Sequence, residues 1–202
     1  PAVILRGFAR PNLHFAVEEH DGIAARRRAA LTKVKAVLGG PGQENGAAII
    51  YAGTRRNVDK LATAFADKGW RAAGYHAGMA PDDRESVSKA FADHELEVVV
   101  ATIAFGMGID RPDIRVVVHT MAPGSIEAYY QEVGRAGRDG APAHGLLLSG
   151  TSDFAFRRRL LDLPDRDGKR PDPREVERQW RLFLDLMRYV EAGSCRHDFI
   201  LR

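Results

Sequence analysis

Val98-Val99-Val100-Ala101-Thr102-Ile103-Ala104-Phe105-Gly106-Met107-Gly108-Ile109-Asp110-Arg111-Pro112-Asp113, followed closely by Arg115-Val116-Val117-Val118, is the stretch that decides the fold class. Both ends are β-branched and apolar at every position, so each reads as a strand buried on both faces. A glycine-containing connection separates them. Working outward, Ala47-Ala48-Ile49-Ile50-Tyr51 is another apolar run, closed by Gly53-Thr54. Val58, Leu61, Ala62, Phe65 and Ala66 then recur at helical spacing until Lys68-Gly69. Arg71-Ala72-Ala73-Gly74-Tyr75 reads as a short strand, and Pro81 opens a helix carrying Val87, Ala90 and Phe91. Ser125 N-caps a helix reaching Gly134, and Gly145-Leu146-Leu147-Leu148 is a last strand. Strands apolar on both faces, alternating with amphipathic helices, predict an α/β fold: a mostly parallel sheet with helices on either side. Ligands on such sheets bind at the carboxyl ends of strands, which directs attention to the segments after Tyr51, Tyr75, Ala101 and His119.

Beyond Leu161 the character changes. Leu163-Pro164-Asp165-Arg166-Asp167-Gly168-Lys169-Arg170-Pro171 is a polar, proline-rich connector. Asp172 then caps a helix, Pro173 occupies its first turn, and Glu175 completes a capping box. Val176, Trp180, Phe183, Leu184, Met187 and Val190 form one apolar face of that helix, which needs a packing partner.

The 202 residues suffice for one α/β domain with an appendage but not for two full domains. A hydrophobic share of 45% and a charged share of 28% describe a globular chain. No apolar run is long enough to span a membrane, and Pro1-Ala2-Val3-Ile4-Leu5-Arg6 is no signal peptide. Starting on Pro1 and stopping on Arg202, the chain reads as a fragment. Cys195 is its one cysteine, which suits a reducing cytosol. The net charge is only +3, yet most of the 30 basic residues are arginine, the side chain that grips phosphate through paired hydrogen bonds.

The segment richest in chemistry is Gln131-Glu132-Val133-Gly134-Arg135-Ala136-Gly137-Arg138-Asp139-Gly140. Two arginines three apart on one helical turn project to the same side, and the glycines let a ligand approach the backbone. That suits a triphosphate whose transition state spreads charge over the γ-oxygens. In the opening stretch, Thr102 offers a hydroxyl at a strand end, and backbone N–H groups of the loop suit phosphate. Asp110 is placed either to hold an arginine or to accept a bond from a ribose hydroxyl. On spacing alone, the same glycines are equally consistent with a tight connection and nothing more.

These two segments resemble motifs V and VI of superfamily-two helicases, and their wording is similar to the RecQ family. The carriers are Ala101-Thr102-Ile103-Ala104-Phe105-Gly106-Met107-Gly108-Ile109-Asp110 and Tyr129-Tyr130-Gln131-Glu132 through Gly140. DEAD-box RNA helicases typically have His-Arg where Gln131-Glu132 stand. Ile49-Ile50-Tyr51 through Thr54-Arg55 resembles motif IV, Tyr75-His76-Ala77-Gly78-Met79 resembles the block that follows it, and Phe8-Ala9-Arg10-Pro11-Asn12 resembles the lead-in to the second motor domain. The resemblance implies a RecA-like three-layer sandwich over residues 1–162, a linker at 163–172, and the start of a helical zinc-binding region at 173–202. It makes Arg138 the arginine finger, with Arg135 beside it on the γ-phosphate and Gln131 orienting the group. Gly108 and Asp110 fall at the ribose edge of ATP. Thr54, Arg55, His76, Gly78 and Thr102 line a track for single-stranded DNA, mainly on its phosphates; for His76 a packed, hydrogen-bonded side chain is an equal alternative. Cys195 corresponds to the first of four zinc ligands, so zinc belongs to the full-length enzyme only.

The function so implied is the second motor half of an ATP-dependent 3′-to-5′ DNA helicase in repair and recombination, in the bacterial cytosol or nucleoid. The sequence contains no Gly-x-x-x-x-Gly-Lys-Ser/Thr loop and no acidic metal-holding motif; Asp93-His94-Glu95 only echoes one. ATP and Mg²⁺ are therefore expected to be shared with a first RecA-like domain, and the chain alone is expected not to hydrolyse ATP. Two alternatives stand beside this reading: a non-catalytic nucleic-acid-binding module, and an RNA-directed motor of the same superfamily.

Overall fold

The computed structural model describes residues 10–103, 105, 110–164 and 167–192. Six strands form one sheet: β1 (Leu13–Glu19), β2 (Ala47–Tyr51), β3 (Ala72–Tyr75), β4 (Val98–Ala101), β5 (Ile114–His119) and β6 (Ala143–Ser149). Their spatial order is β1-β6-β5-β2-β4-β3, and every neighbouring pair is parallel. The helices are α1 (Ile23–Leu38), α2 (Arg55–Ala66), α3 (Pro81–Ala92), α4 (Ile126–Val133), α5 (Ser152–Leu161) and α6 (Pro173–Glu191).

Alternation along each strand separates two cores. Ala48, Ile50, Val98, Val100, Val116 and Val118 meet α1 and α2 through Ala30, Val34, Leu38, Val58, Leu61 and Phe65. Ile49, Tyr51, Val99 and Val117 turn the other way, onto Phe91 of α3, Tyr129 and Val133 of α4, and Leu186 and Tyr189 of α6. This is the expected three-layer sandwich. Each fully buried Ile, Val or Leu contributes about 1.5–3 kcal/mol of transfer free energy, and the central strands β2 and β4 are buried along their whole length.

Helix starts follow local chemistry. The Thr54 hydroxyl accepts from Asn57 N (3.2 Å) and the Ser125 hydroxyl from Ala128 N (3.1 Å). In α6 the Asp172 carboxylate accepts from Arg174 N at 2.8 Å, but the capping box is not formed. The Glu175 carboxylate instead accepts from Arg178 (2.8 and 2.7 Å) and Gln179 (2.9 Å). A guanidinium one turn along is a stronger partner than the capping residue's backbone N–H. The apolar face of α6 has its partner within the chain, since Trp180 and Phe183 pack on Phe154 of α5. No helix among the described residues is long and apolar enough to cross a membrane.

Three elements lie outside the sequence expectations: β1, α1 and α5. Edge strand β1 mixes polar with apolar residues in Leu13-His14-Phe15-Ala16-Val17-Glu18-Glu19. The stripe of α1 that faces the sheet is Arg26, Ala30, Val34 and Leu38, so its first member is an arginine. The buried member of α5 is Asp153. Both helices sink a charge where an apolar residue is the usual signal.

Candidate functional site

The candidate residues gather at two opposite ends of the sheet. Asp110 precedes β5 and Arg138 precedes β6, so this pair sits at the amino ends of strands. Asp110 and Arg138 thus lie away from the carboxyl ends of strands to which the sequence directed attention. The two side chains meet, Arg138 Nη1 to Asp110 Oδ1, at 3.0 Å, with Asp110 89% and Arg138 40% exposed. Of the two roles open to Asp110, holding an arginine is the one this contact displays.

A clamp forms the arginine loop. Helix α4 ends at Val133, and residues 134–139 run as turns. Arg10 donates to the carbonyls of Gly134 (2.9 Å), Ala136 (3.0 Å) and Gly137. Asn12 Nδ2 donates to Gly137 O (2.8 Å) and Ala141 O (2.9 Å), while Gly137 N donates to Ile114 O (2.8 Å). Gly137 takes φ 61, a left-handed conformation that breaks any helical continuation between the arginines. The expected helical turn with both arginines on one side is therefore not what forms. Arg138 turns out to Asp110, whereas the half-buried Arg135 hydrogen-bonds the Tyr51 hydroxyl. Burial pushes that phenol up to about 12, with Arg135 pulling down and Glu132 pushing up. The loop is also tied to β5, because Arg115 Nη1 donates to Asp139 Oδ1 at 2.8 Å and holds that carboxyl down at about 2.

Gly137→Ala tests the clamp. A Cβ there would come within 2.5 Å of Asn12 Nδ2 and 2.9 Å of both Ala141 O and Ala143 Cβ. With a positive φ added, the expected loss is about 1–3 kcal/mol in urea unfolding. A loss below about 0.5 kcal/mol would mean the turn is not held as described.

At the carboxyl ends lie Thr54, Arg55, His76, Gly78 and Thr102. Thr54 caps α2 and Arg55 is exposed at its first turn, against Gly78, where a Cβ would meet the Arg55 guanidinium at 2.9 Å. His76 spends both ring nitrogens inside the fold: Nδ1 accepts from Gly78 N (3.2 Å), and Nε2 stands 3.0 Å from Asp59 Oδ1. Accepting at Nδ1 makes Nε2 the protonated position, so the ring shapes the turn that presents Gly78. Thr102 follows β4, its N donating to Tyr75 O at 3.2 Å, and it lines a cavity of about 350 Å³ with Gly53, Ile103 and Gly124. Gln131 lies on the exposed side of α4. Gly108 and Cys195 fall outside the described residues.

Three further groups were not singled out from sequence. Arg10 and Asn12 carried only a family likeness, and their work on the 134–141 carbonyls needs the fold to be seen. Arg111 is 3% exposed and donates to Phe91 O (2.7 Å), Leu96 O (2.6 Å) and Asp113 (2.7 Å), pinning the chain beside Asp110. His119 stacks on Tyr51 with ring centroids 5.0 Å apart, and its Nε2 is 2.6 Å from Glu132 Oε2. Among the described residues, no group of three or more His, Cys, Asp or Glu is placed to hold a metal ion.

A clamped arginine loop at one end of a wholly parallel sheet and a threonine-rich rim at the other coincide with a known domain. Residues 29–140 match the helicase conserved C-terminal domain. The chain belongs to that family. Within this helicase family its likeness is to RecQ proteins: it is 36% identical over 203 residues to the ATP-dependent DNA helicase RecQ of Pasteurella multocida, matching 100% of the chain and 29% of that relative. It is 37% identical over 195 residues to the same-named protein of Haemophilus influenzae, 96% of the chain and 29% of the relative. The chain thus spans less than a third of the length of these curated relatives. A DEAD box protein from Methanococcus jannaschii shares the fold, with a TM-score of 0.59 at 21% identity, covering 86% of this helicase domain and 41% of that chain. The RecQ-type domain and its RecA-like sandwich are thereby shown.

Proposed function

We propose that this domain is the arginine-finger half of a RecQ-type, ATP-dependent 3′-to-5′ DNA helicase acting in repair and recombination in the cytosol or nucleoid. The observation that carries the reading is Arg138, exposed at the amino ends of the strands, aimed by Asp110, and mounted on a loop clamped by Arg10 and Asn12. A guanidinium fixed in this way meets charge developing on a γ-phosphate without reorganising. Arg135, held on the Tyr51 hydroxyl, would add a second positive charge on the γ-phosphate, and Gln131 would orient the group. By the family likeness, Asp110 and Gly108 would serve the ribose edge of ATP.

Mg²⁺ and the β-phosphate would be held by a first RecA-like domain across the cleft, so the chain supplies one wall and is inactive alone. Thr54, Arg55, Gly78 and Thr102 would contact single-stranded DNA through its phosphates, with His76 shaping the track and no base sequence read. In the full-length protein Cys195 would be the first of four zinc ligands.

The test is ATP hydrolysis by the full-length polypeptide and by residues 1–202, with and without single-stranded DNA or RNA. Hydrolysis by the full-length protein, stimulated by DNA and undetectable in the isolated chain, is the expected result. Stimulation by RNA alone would move the reading to an RNA motor, and no hydrolysis at all would leave a binding module.

A further inference from the structure

Arg157 differs in its surroundings from four arginines held in ion pairs. Arg26, Arg111, Arg115 and Arg138 each face a carboxylate. Arg157 is half-buried on α5, and its side-chain hydrogen bond goes to the neutral Oε1 of Gln179 at 3.2 Å. Its Nε is buried with no hydrogen-bond partner among the described residues. Among the described residues no charge offsets its burial, which lowers the pKa of this guanidinium from the ordinary arginine value. A partly desolvated cation with no anion beside it is costly, and the cost is recovered when an anion arrives.

Its position says which anion. The guanidinium lies over Gly124, where a Cβ would meet Nη2 at 2.7 Å and Nη1 at 3.1 Å. Gly124 leaves room for the guanidinium where it lies, directly ahead of Ser125 and the positive end of α4. Arg157 lines the carboxyl-end cavity that also takes in Gly53, Thr102 and Ile103. Ile103 is 79% and Leu160 44% exposed on its rim, apolar surface suited to a sugar or base. A second cavity of about 380 Å³ also reaches Met121 and is edged by Arg27, Asn57 and Lys60. The carboxylate facing the first cavity is Glu132, which is already engaged by His119 at 2.6 Å.

We infer that Arg157 is a phosphate-binding residue for the nucleic-acid strand, extending the track from Thr54 and Thr102 across the cavity onto α5. This rests on the proposed function, because the strand must run along the carboxyl ends of the sheet. A phosphate there would accept from the exposed edge of the guanidinium, and the neighbouring sugar would cover Ile103.

The experiment is fluorescence anisotropy of labelled oligo-dT with the full-length protein over a series of salt concentrations. Arg157→Gln is expected to weaken binding about fivefold at low salt. It should also flatten the slope of log affinity against log salt by about 0.7, the value for one lost phosphate contact on a single strand. Arg157→Lys should keep the slope, and Arg158→Gln should change neither quantity, since Arg158 faces Asp162 at 3.5 Å. If Arg157→Gln does not fold, footprinting of the wild type with an arginine-specific reagent gives the same reading: oligo-dT should protect Arg157. Wild-type affinity and slope in Arg157→Gln, or no protection of Arg157, overturns the inference. If a Thr54 or Arg55 variant still weakens binding in that case, the proposed function stands without it, and the cavity is a protein contact. Failure of the wild type to bind oligo-dT would bring down both.

Discussion

Arg138→Ala in the full-length protein is expected to lower DNA-stimulated ATP turnover by about 10³-fold while changing nucleotide affinity by less than about tenfold. The asymmetry follows from geometry. Arg138 is 40% exposed, and its contact with an 89% exposed Asp110 is a surface ion pair, worth at most about 1 kcal/mol to the fold. Removing it should leave urea unfolding of the domain nearly unchanged, so a loss of turnover can be assigned to the chemical step. Arg135→Ala is a useful contrast, because that side chain is half-buried and bonds the raised-pKa hydroxyl of Tyr51; stability and turnover should fall together. Normal hydrolysis by Arg138→Ala would remove the arginine-finger assignment and favour a nucleic-acid-binding module on the same fold.

How much of this was legible in the sequence varied with burial. The ends of β2, β3, β4 and β5 fall at Tyr51, Tyr75, Ala101 and His119, the four residues beyond which the sequence placed its candidate segments; β2 and β4 are apolar runs buried along their whole length, whereas β3 is only half-buried. Edge strand β1 carries polar side chains among its apolar ones and gives no such run. Helical spacing failed at Arg135 and Arg138 for a local reason: a left-handed Gly137 cancels the periodicity that put both on one side. The sheet rule that ligands sit at carboxyl ends points to the rim of Thr54, Gly78 and Thr102 but not to Arg138, which precedes β6. The stretch from Thr102 to Asp113 leads from the carboxyl end of β4 to the amino end of β5, so one segment touches both sites. Pairings such as His119 with Glu132, or Arg10 with three carbonyls more than 120 residues away, leave no sequence signal, since each half is an ordinary polar residue until the fold joins them.

Asp153→Ala is expected to be the most damaging single substitution for stability, at about 3–5 kcal/mol in urea unfolding of the domain. The ion pair it breaks is almost sealed from solvent, with side-chain exposures of 4% for Arg26 and 1% for Asp153. Two parallel hydrogen bonds of 2.8 and 2.9 Å join them. Arg26 also donates to His20 O (2.9 Å) and Thr120 O (3.1 Å), and Asp153 accepts from Gly150 N (2.8 Å). His20, Thr120 and Gly150 are the first residues beyond β1, β5 and β6. The pair therefore braces three strand ends, and without Asp153 a buried guanidinium faces only carbonyls. Against a domain stability of about 5–15 kcal/mol this is a large fraction. Replacing both partners, Arg26→Met with Asp153→Leu, removes the stranded charge but leaves Gly150 N and two carbonyls unmet, so it should recover only about half the loss. A cost below about 1 kcal/mol for Asp153→Ala, the range of solvent-exposed ion pairs in general, would show that the strand ends are held by something else. If the full loss is seen, oligo-dT affinity of the full-length variant should fall well before global unfolding, because Thr120 and Gly150 stand at the same end of the sheet as Thr54 and Thr102.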